Sequence, residues 1–201
     1  LKLKLNAKSG FDVYERLMIS AETPIDTLRS EKVHLLQWVD SISTELPVHI
    51  APADSGGLRY AITHTWQPEA NYEVRLDSAA FVDAYGKASD KQSGKFSIKS
   101  LDQYSTLIVT LEPDEPQAVV QVLNAKDEVV RSAPVVDGST RFEYITPGDY
   151  YLRLFVDVNG DGQWTTGDYA RKTPPEQVFY YPQKITLRAN WDDEEVWDCR
   201  A

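Results

Sequence analysis

Cysteine is nearly absent. Cys199 is the only one in 201 residues, so no disulfide can form within the chain, and the small disulfide-stapled class of secreted domains is excluded. Histidine is almost as scarce: His34, His49 and His64 show no close ligand spacing, and neither HExxH nor CxxC occurs. Long apolar runs are also missing, with no stretch approaching the roughly 20 residues that a membrane helix needs. Excess positive charge is lacking too. Against 31 Asp and Glu stand only 21 scattered Lys and Arg, a net charge of −10. A nucleic-acid partner or an anionic membrane surface calls for the reverse. An acidic chain does leave room for a cation such as Ca²⁺.

What is present is a period of two. Tyr72, Val74 and Leu76 alternate with polar residues, as do Leu107, Val109 and Leu111, and Tyr150, Leu152, Leu154 and Val156. Leu58, Tyr60 and Ile62, then Phe142 with Tyr144, and Ile185, Leu187 and Ala189 add further segments. Such alternation describes strands buried on one face. Turn signals punctuate them at Lys8-Ser-Gly10, Asp54-Ser-Gly-Gly57, Tyr85-Gly86, Asp137-Gly138, Pro147-Gly148 and Asn159-Gly160. Short strands with frequent turns define a sandwich or barrel. Helical signal is confined to Pro24–Gln37, where one turn competes with a strand at Val33-His-Leu-Leu36. The length suits two domains of about 100 residues. The polar stretch from Asp83 to Gly94 then places the boundary between 1–96 and 97–201. The two halves share a weak likeness, in which a proline precedes a tyrosine-bearing strand (Pro68 with Tyr72, Pro147 with Tyr151), as at a tyrosine corner.

Three stretches of the first half, Leu17–Asp26, Trp66–Tyr72 and Phe81–Gly86, carry a resemblance to the bacterial Ig-like module of S-layer and other surface proteins. In the second half the run from Pro147 to Tyr169, with Pro175–Tyr181 and Arg188–Trp191, resembles the C-terminal region of Ig-like surface lipoproteins of Bacteroidetes. It is also similar to prealbumin-like and collagen-adhesin B-type sandwiches. The resemblance implies an envelope-anchored, non-enzymatic protein and identifies no ligand. The chain starts at Leu1 rather than Met, so a signal peptide or lipid anchor is expected upstream.

The sharpest chemical candidate is the segment 157–168. Counted as a twelve-residue Ca²⁺ loop, it sets Asp157, Asn159, Asp161 and Asp168 at positions 1, 3, 5 and 12, with Gly162 at 6 and Gln163 at 7. Hard Ca²⁺ collects six to eight oxygens, and Gly162 permits the sharp curl that lets closely spaced carboxylates converge. Asn-Gly and Asp-Gly are also common hairpin formers, so a long metal-free hairpin accounts for the same residues. Asp54-Ser55-Gly56-Gly57 echoes the nucleophile signature of chymotrypsin-like proteases, but Ser55 lies too early in the chain to have the upstream partners that fold requires. It reads as a hairpin loop. Phe179, Tyr180 and Tyr181, with Trp164 and Trp191, offer either a sugar-stacking platform or core filling. The acidic end, Asp192-Asp-Glu-Glu195, reads as a solvated tail with Trp197 packing back.

The sequence therefore predicts an all-β chain of two tandem β-sandwiches, Ig-like and then prealbumin-like. The expected role is a non-catalytic cell-envelope scaffold or adhesion protein, possible structural Ca²⁺ being its one cofactor. Its partner would be an unknown protein or a glycan, with a carbohydrate-binding module as the alternative function. The expected location is extracytoplasmic, at the outer membrane of a bacterial envelope through the upstream anchor.

Overall fold

The structure, a computed structural model, describes residues 1–167, 172 and 174–199. The chain divides into two compact units, Leu1–Ser100 and Leu101–Ala201, and each is a β-sandwich.

In the first unit the strands are β1 (Leu3–Leu5), β2 (Ser9–Phe11), β3 (Leu17–Ala21), β4 (Ile25–Leu28), β5 (Val33–Val39), β6 (Ile42–Leu46), β7 (His49–Pro52), β8 (Arg59–Thr63), β9 (Asn71–Leu76), β10 (Phe81–Asp83) and β11 (Gln92–Ile98). One sheet runs β1-β3-β8-β7 and the facing sheet β2-β11-β9-β5-β6, with β4 and β10 paired apart. Strand β9 sits between β5 and β11 and turns Tyr72, Val74 and Leu76 inward. They meet Leu17, Ile19, Tyr60 and Ile62 from the opposite sheet, so the alternation read from the sequence is one wall of a shared core. At one end Trp66 fills the space among Phe11, Tyr72 and Phe96, with ring centroids 5.0–5.8 Å away.

The second unit holds β12 (Ser105–Glu112), β13 (Ala118–Leu123), β14 (Val129–Pro134), β15 (Ser139–Ile145), β16 (Gly148–Val156), β17 (Val178–Tyr180), β18 (Ile185–Leu187) and β19 (Asp192–Asp198). Sheet β15-β12-β19 faces sheet β14-β13-β16-β17, and β18 also pairs with β16. Leu107, Val109 and Leu111 from β12 pack with Val120, Val122, Leu152 and Leu154 from the opposite sheet.

Each unit contains a tyrosine that ties a turn to the strand following it. The Gln67 amide donates to the Tyr72 hydroxyl at 3.1 Å, and the Tyr150 hydroxyl donates to the Thr146 carbonyl at 2.7 Å. The second matches a tyrosine corner, but it is Tyr150 that points inward; Tyr151, the residue suggested by spacing from Pro147, is exposed.

Two expectations change, those for the domain boundary and for the acidic end. The boundary between 96 and 97 cuts through β11, which belongs to the first unit and pairs with β9 from Gln92 to Ser97. Gly94 is there for close packing rather than for a turn: a Cβ would meet Ala7 Cβ at 2.9 Å and Leu5 Cδ1 at 3.1 Å. Within Pro24–Gln37, helix is limited to a single 3₁₀ turn at Ser30–Lys32, and β5 follows directly. The acidic end is no solvated tail. Asp192–Asp198 forms β19, paired parallel with β12 from Thr106↔Asp192 to Glu112↔Asp198. Trp197 packs into the core, as expected.

Candidate functional site

The 157–168 segment begins where β16 ends. The carboxylate of Asp157 closes the loop on its own backbone: Oδ1 accepts the amides of Gly160 (2.8 Å) and Asp161 (3.2 Å), and Oδ2 accepts that of Gly162 (2.8 Å). Both glycines have positive φ (73° and 72°), the conformation the curl requires. Asn159 Oδ1 accepts the Asp161 amide at 2.9 Å, and Asp161 Oδ1 accepts the Gln163 amide at 2.7 Å. The Asn159 side-chain amide donates to Asp161 Oδ2 (3.0 Å) and to Thr165 Oγ1 (3.1 Å). Four of the five predicted ligands are thus on one tight turn; Asp168 lies outside the described residues.

Glu176 is the functional residue that spacing alone did not find. Its side chain reaches across the loop, Oε1 accepting the Val158 amide (3.0 Å) and Oε2 the Thr165 amide (2.9 Å). The Trp164 indole donates to its carbonyl at 3.0 Å. Glu176 is only 9% exposed, and it staples the two ends of the loop. The apolar run Val178-Phe-Tyr180 after Pro175 marks the return of the chain to β17, but it does not say which carboxylate turns inward.

The donor set is all oxygen, drawn from carboxylates, one amide and backbone, which is the chemistry of Ca²⁺ rather than of Zn²⁺ or copper. Asp157 Oδ1 already accepts two amides, whereas Asp157 Oδ2 and both oxygens of Asp161 accept one donor each and keep a second lone pair. Among the described residues no group of three or more His, Cys, Asp and Glu side chains is already gathered as a metal site.

The other candidates are dispersed. Ser55 sits in the β7–β8 hairpin loop, where Asp54 Oδ1 accepts the Leu58 amide at 3.0 Å. His49 pairs with Thr63 across β7 and β8. The His64 ring lies edge-on to Trp66 at 5.1 Å and Tyr72 at 5.9 Å, and burial, then His49, lowers its pKa. His34 is on β5, with Nδ1 at 2.6 Å from Glu45 Oε1 of β6 and Nε2 at 3.3 Å from Asp77 Oδ2. Lys91 also approaches Asp77, at 4.0 Å, and Arg75 is the cross-strand partner of His34. The Glu45 hydrogen bond, with help from Asp77, raises the His34 pKa above its ordinary 6.5.

A pH dependence follows. A histidine with a raised folded pKa contributes stability that is complete below about pH 6.5 and lost as pH rises through the folded value. His64, with its pKa lowered, acts oppositely and costs stability as pH falls below its ordinary value. Chemical denaturation between pH 6 and 8 should therefore lose an alkaline decline on His34→Gln, leaving stability flat or rising; an unchanged profile would show that the Glu45–His34–Asp77 chain carries no weight.

The aromatic residues do not make one platform. Phe179 and Tyr181 pack on the core. The Tyr181 ring meets Trp197 at 5.5 Å, and its hydroxyl donates to Glu195 Oε2 at 2.7 Å, which pushes its pKa up to about 12. Tyr180 and Trp164 are exposed, Trp164 being tethered to Glu176. Trp191 lines a different groove, with Tyr104 and Tyr144.

No protein-family model matches the sequence, and no curated protein matches it. Among solved structures, the N-terminal part of the bacterial S-layer protein SbsC is 15% identical over 98% of this chain and 45% of its own, with a TM-score of 0.44. BcpA, the major pilin subunit of Bacillus cereus, is 10% identical over 98% of this chain and 69% of its own, at 0.33. The BSP domain of a biofilm-associated protein is 15% identical over 94% of this chain and 29% of its own, at 0.26. The chain spans less than half the length of the S-layer structure. Identities and TM-scores of this size leave the functional reading to the chain's own side chains.

Proposed function

We propose that the chain is a non-catalytic structural or adhesive protein of the bacterial cell surface, its second sandwich stiffened by Ca²⁺ in the 157–168 loop. The observation that carries this reading is the use made of the buried carboxylates. Glu73 holds the Trp38 indole (3.0 Å) and Arg75 (2.9 and 3.0 Å) on β9. Arg75 keeps its carboxyl below the ordinary range against the opposing effect of burial. Asp83 accepts the amides of Tyr85 and Lys87 and the Thr23 hydroxyl. Glu176 staples the loop. Groups that an enzyme would direct at a substrate are here engaged with the protein's own side chains and backbone amides. Attachment through a lipid upstream of Leu1 completes the reading. Antibody labelling of intact cells of the source organism checks the location, and a chain found only in the soluble intracellular fraction would overturn it.

The metal is structural in this proposal: it would hold Asp157, Asn159, Asp161, the Gln163 carbonyl and Asp168 together and fix the loop that Glu176 closes. Titrating Ca²⁺ into chelator-treated protein should release heat, and at 100-fold excess over the dissociation constant the gain in stability should be about 2.7 kcal/mol. Asp157→Asn and Asp161→Asn should each weaken it. Absence of both heat and a melting shift at millimolar Ca²⁺ sinks the metal.

A further inference from the structure

We propose that the groove between the start of β12, the bulge of β15 and the start of β19 binds an uncharged oligosaccharide, with Trp191 and Tyr144 as its stacking faces. The groove has a volume of about 420 Å³ and is built within the second unit. That size falls inside the range of about 300–1,000 Å³ typical of small-ligand sites. It shares no lining residue with the 157–168 loop.

Three local irregularities of backbone meet here. First, β15 carries a bulge. Ser105 faces Ile145 and Leu107 faces Phe142, so two steps along β12 are matched by three along β15. The strand's alternation breaks at that point. Phe142 and Ile145 remain buried while Glu143 and Tyr144 are both exposed. Without the bulge, one of that pair would face the core. Second, Tyr144 takes a φ of 58°, a conformation that costs a side chain with a Cβ and is common where function places a residue. Third, Asn190 takes a φ of 57° and delivers the chain to Trp191.

The presentation of Trp191 is rigid. Its carbonyl accepts the Thr106 amide at 3.0 Å and the Ser105 hydroxyl at 3.1 Å, while the Asn190 amide donates to the Tyr104 carbonyl at 2.8 Å. Its indole is nevertheless 59% exposed, and Tyr144 is 39% exposed. The Tyr144 ring is supported from beneath by buried Tyr104, edge to face at 5.7 Å. A fixed backbone holding open aromatic faces is preorganised to bind, since little ordering cost remains.

The ligand class follows from what surrounds the rings. The C–H face of a pyranose is apolar and weakly positive, and it stacks on the negative face of an aromatic ring. Its rim of hydroxyls needs hydrogen-bond acceptors and donors. Glu143, Asp192 and Asn190 line the groove and supply them. Arg141 orients the acids, its Nε 2.9 Å from Glu143 and its Nη2 4.0 Å from Asp192. Arg131, whose Nη2 donates to the Tyr144 carbonyl at 3.5 Å, stands as a second guanidinium beside the two carboxylates, so the charges balance and the groove selects uncharged sugars.

The test is calorimetric titration of the full chain with neutral hexasaccharides of β-linked glucose, xylose, mannose and N-acetylglucosamine. At least one should bind, and Trp191→Ala and Tyr144→Asn should each weaken it about tenfold or more. Asparagine tolerates the left-handed backbone at 144, so the bulge is retained and unchanged melting of that variant separates loss of the ring from loss of fold. Tyr180→Ala, at an exposed ring outside the groove, should leave affinity unchanged, and so should EDTA. Failure of every neutral sugar at millimolar concentration overturns the proposal, as does binding only of polyuronate or of a cationic peptide. Binding that survives both groove variants, or is lost with Tyr180→Ala or EDTA, assigns the sugar elsewhere and overturns it equally.

Discussion

Replacing Trp66 by alanine should lower stability by about 3–5 kcal/mol, a large share of the roughly 5–15 kcal/mol that holds a domain folded. Trp66 is 5% exposed and stands at the convergence of four rings: Phe11, His64, Tyr72 and Phe96 lie with centroids 5.0–5.8 Å away. Deleting the indole leaves a cavity that the surrounding rings cannot close, because Tyr72 and Phe96 sit on the registered strands β9 and β11. It also leaves the Glu15 carbonyl without the 2.7 Å hydrogen bond from Nε1. Trp66→Phe separates the two effects. It keeps much of the ring packing and loses the donor, so its cost should be smaller, about 1–3 kcal/mol. Urea denaturation of the full chain, followed by far-ultraviolet circular dichroism, measures both. Equal midpoints for Trp66→Ala and the unaltered protein would show that the aromatic cluster does not hold the first core together.

The sandwich is legible in the sequence wherever a strand is buried on one face only. Strand β12 shows this best, since every second residue from Ser105 to Leu111 is buried. Strands that depart from that condition were harder to read. β13 is buried at all six positions from Ala118 to Leu123, so it has no period to detect. β6 is exposed from Ile42 to Glu45 and is a strand only because β5 offers a free edge. β19 was hidden by its acids. Asp193 and Glu195 occupy the same side of the strand as Trp197, so polarity contradicted direction. What pulls them in is tertiary: the Tyr181 hydroxyl waits for Glu195, and no local rule encodes that meeting.

The candidate sites show the same division. Asp157, Asn159, Asp161 and Gln163 were readable because a loop that folds on itself is described by spacing along the chain. Glu176 was not, because it lies beyond a long connection and acts on Val158 and Thr165 through space. The groove at Trp191 was half visible. An aromatic residue there could be named, but the residue that accompanies it, Tyr144, was read as one of an alternating pair with Phe142. A bulge is a mismatch between two strands, and one strand's sequence does not contain it.

The largest effect expected in the second unit is that of Trp197→Ala, about 3–5 kcal/mol, concentrated on β19. Besides Trp197, that strand is held by its ladder, by the Tyr181 hydroxyl on Glu195 and by buried Cys199 just past its end. It is the edge of its sheet and pairs parallel with β12, a ladder slightly weaker per residue than an antiparallel one. Of its inward positions, 193 and 195 are carboxylates, and among the described residues Asp193 Oδ2 is buried with no hydrogen-bond partner, which opposes docking. Trp197, 2% exposed and edge-on to Tyr181, supplies most of the apolar area that fixes the strand. Once it is truncated, the seven registered pairs with β12 are left with their ladder, the Tyr181–Glu195 hydrogen bond and buried Cys199 beyond the strand's end, and Leu107, Val109 and Leu111 lose cover on that side. Hydrogen exchange should then rise in both 105–112 and 192–198, while β13 and β16, which pair with each other in the opposite sheet, stay protected well beyond them. Uniform acceleration across the unit would mean that β19 is part of a single cooperative core, and unchanged exchange in β19 would mean that its backbone ladder holds without the indole. The asymmetric outcome is the one that the inward acids demand, because they leave Trp197 as the one buried apolar side chain within β19.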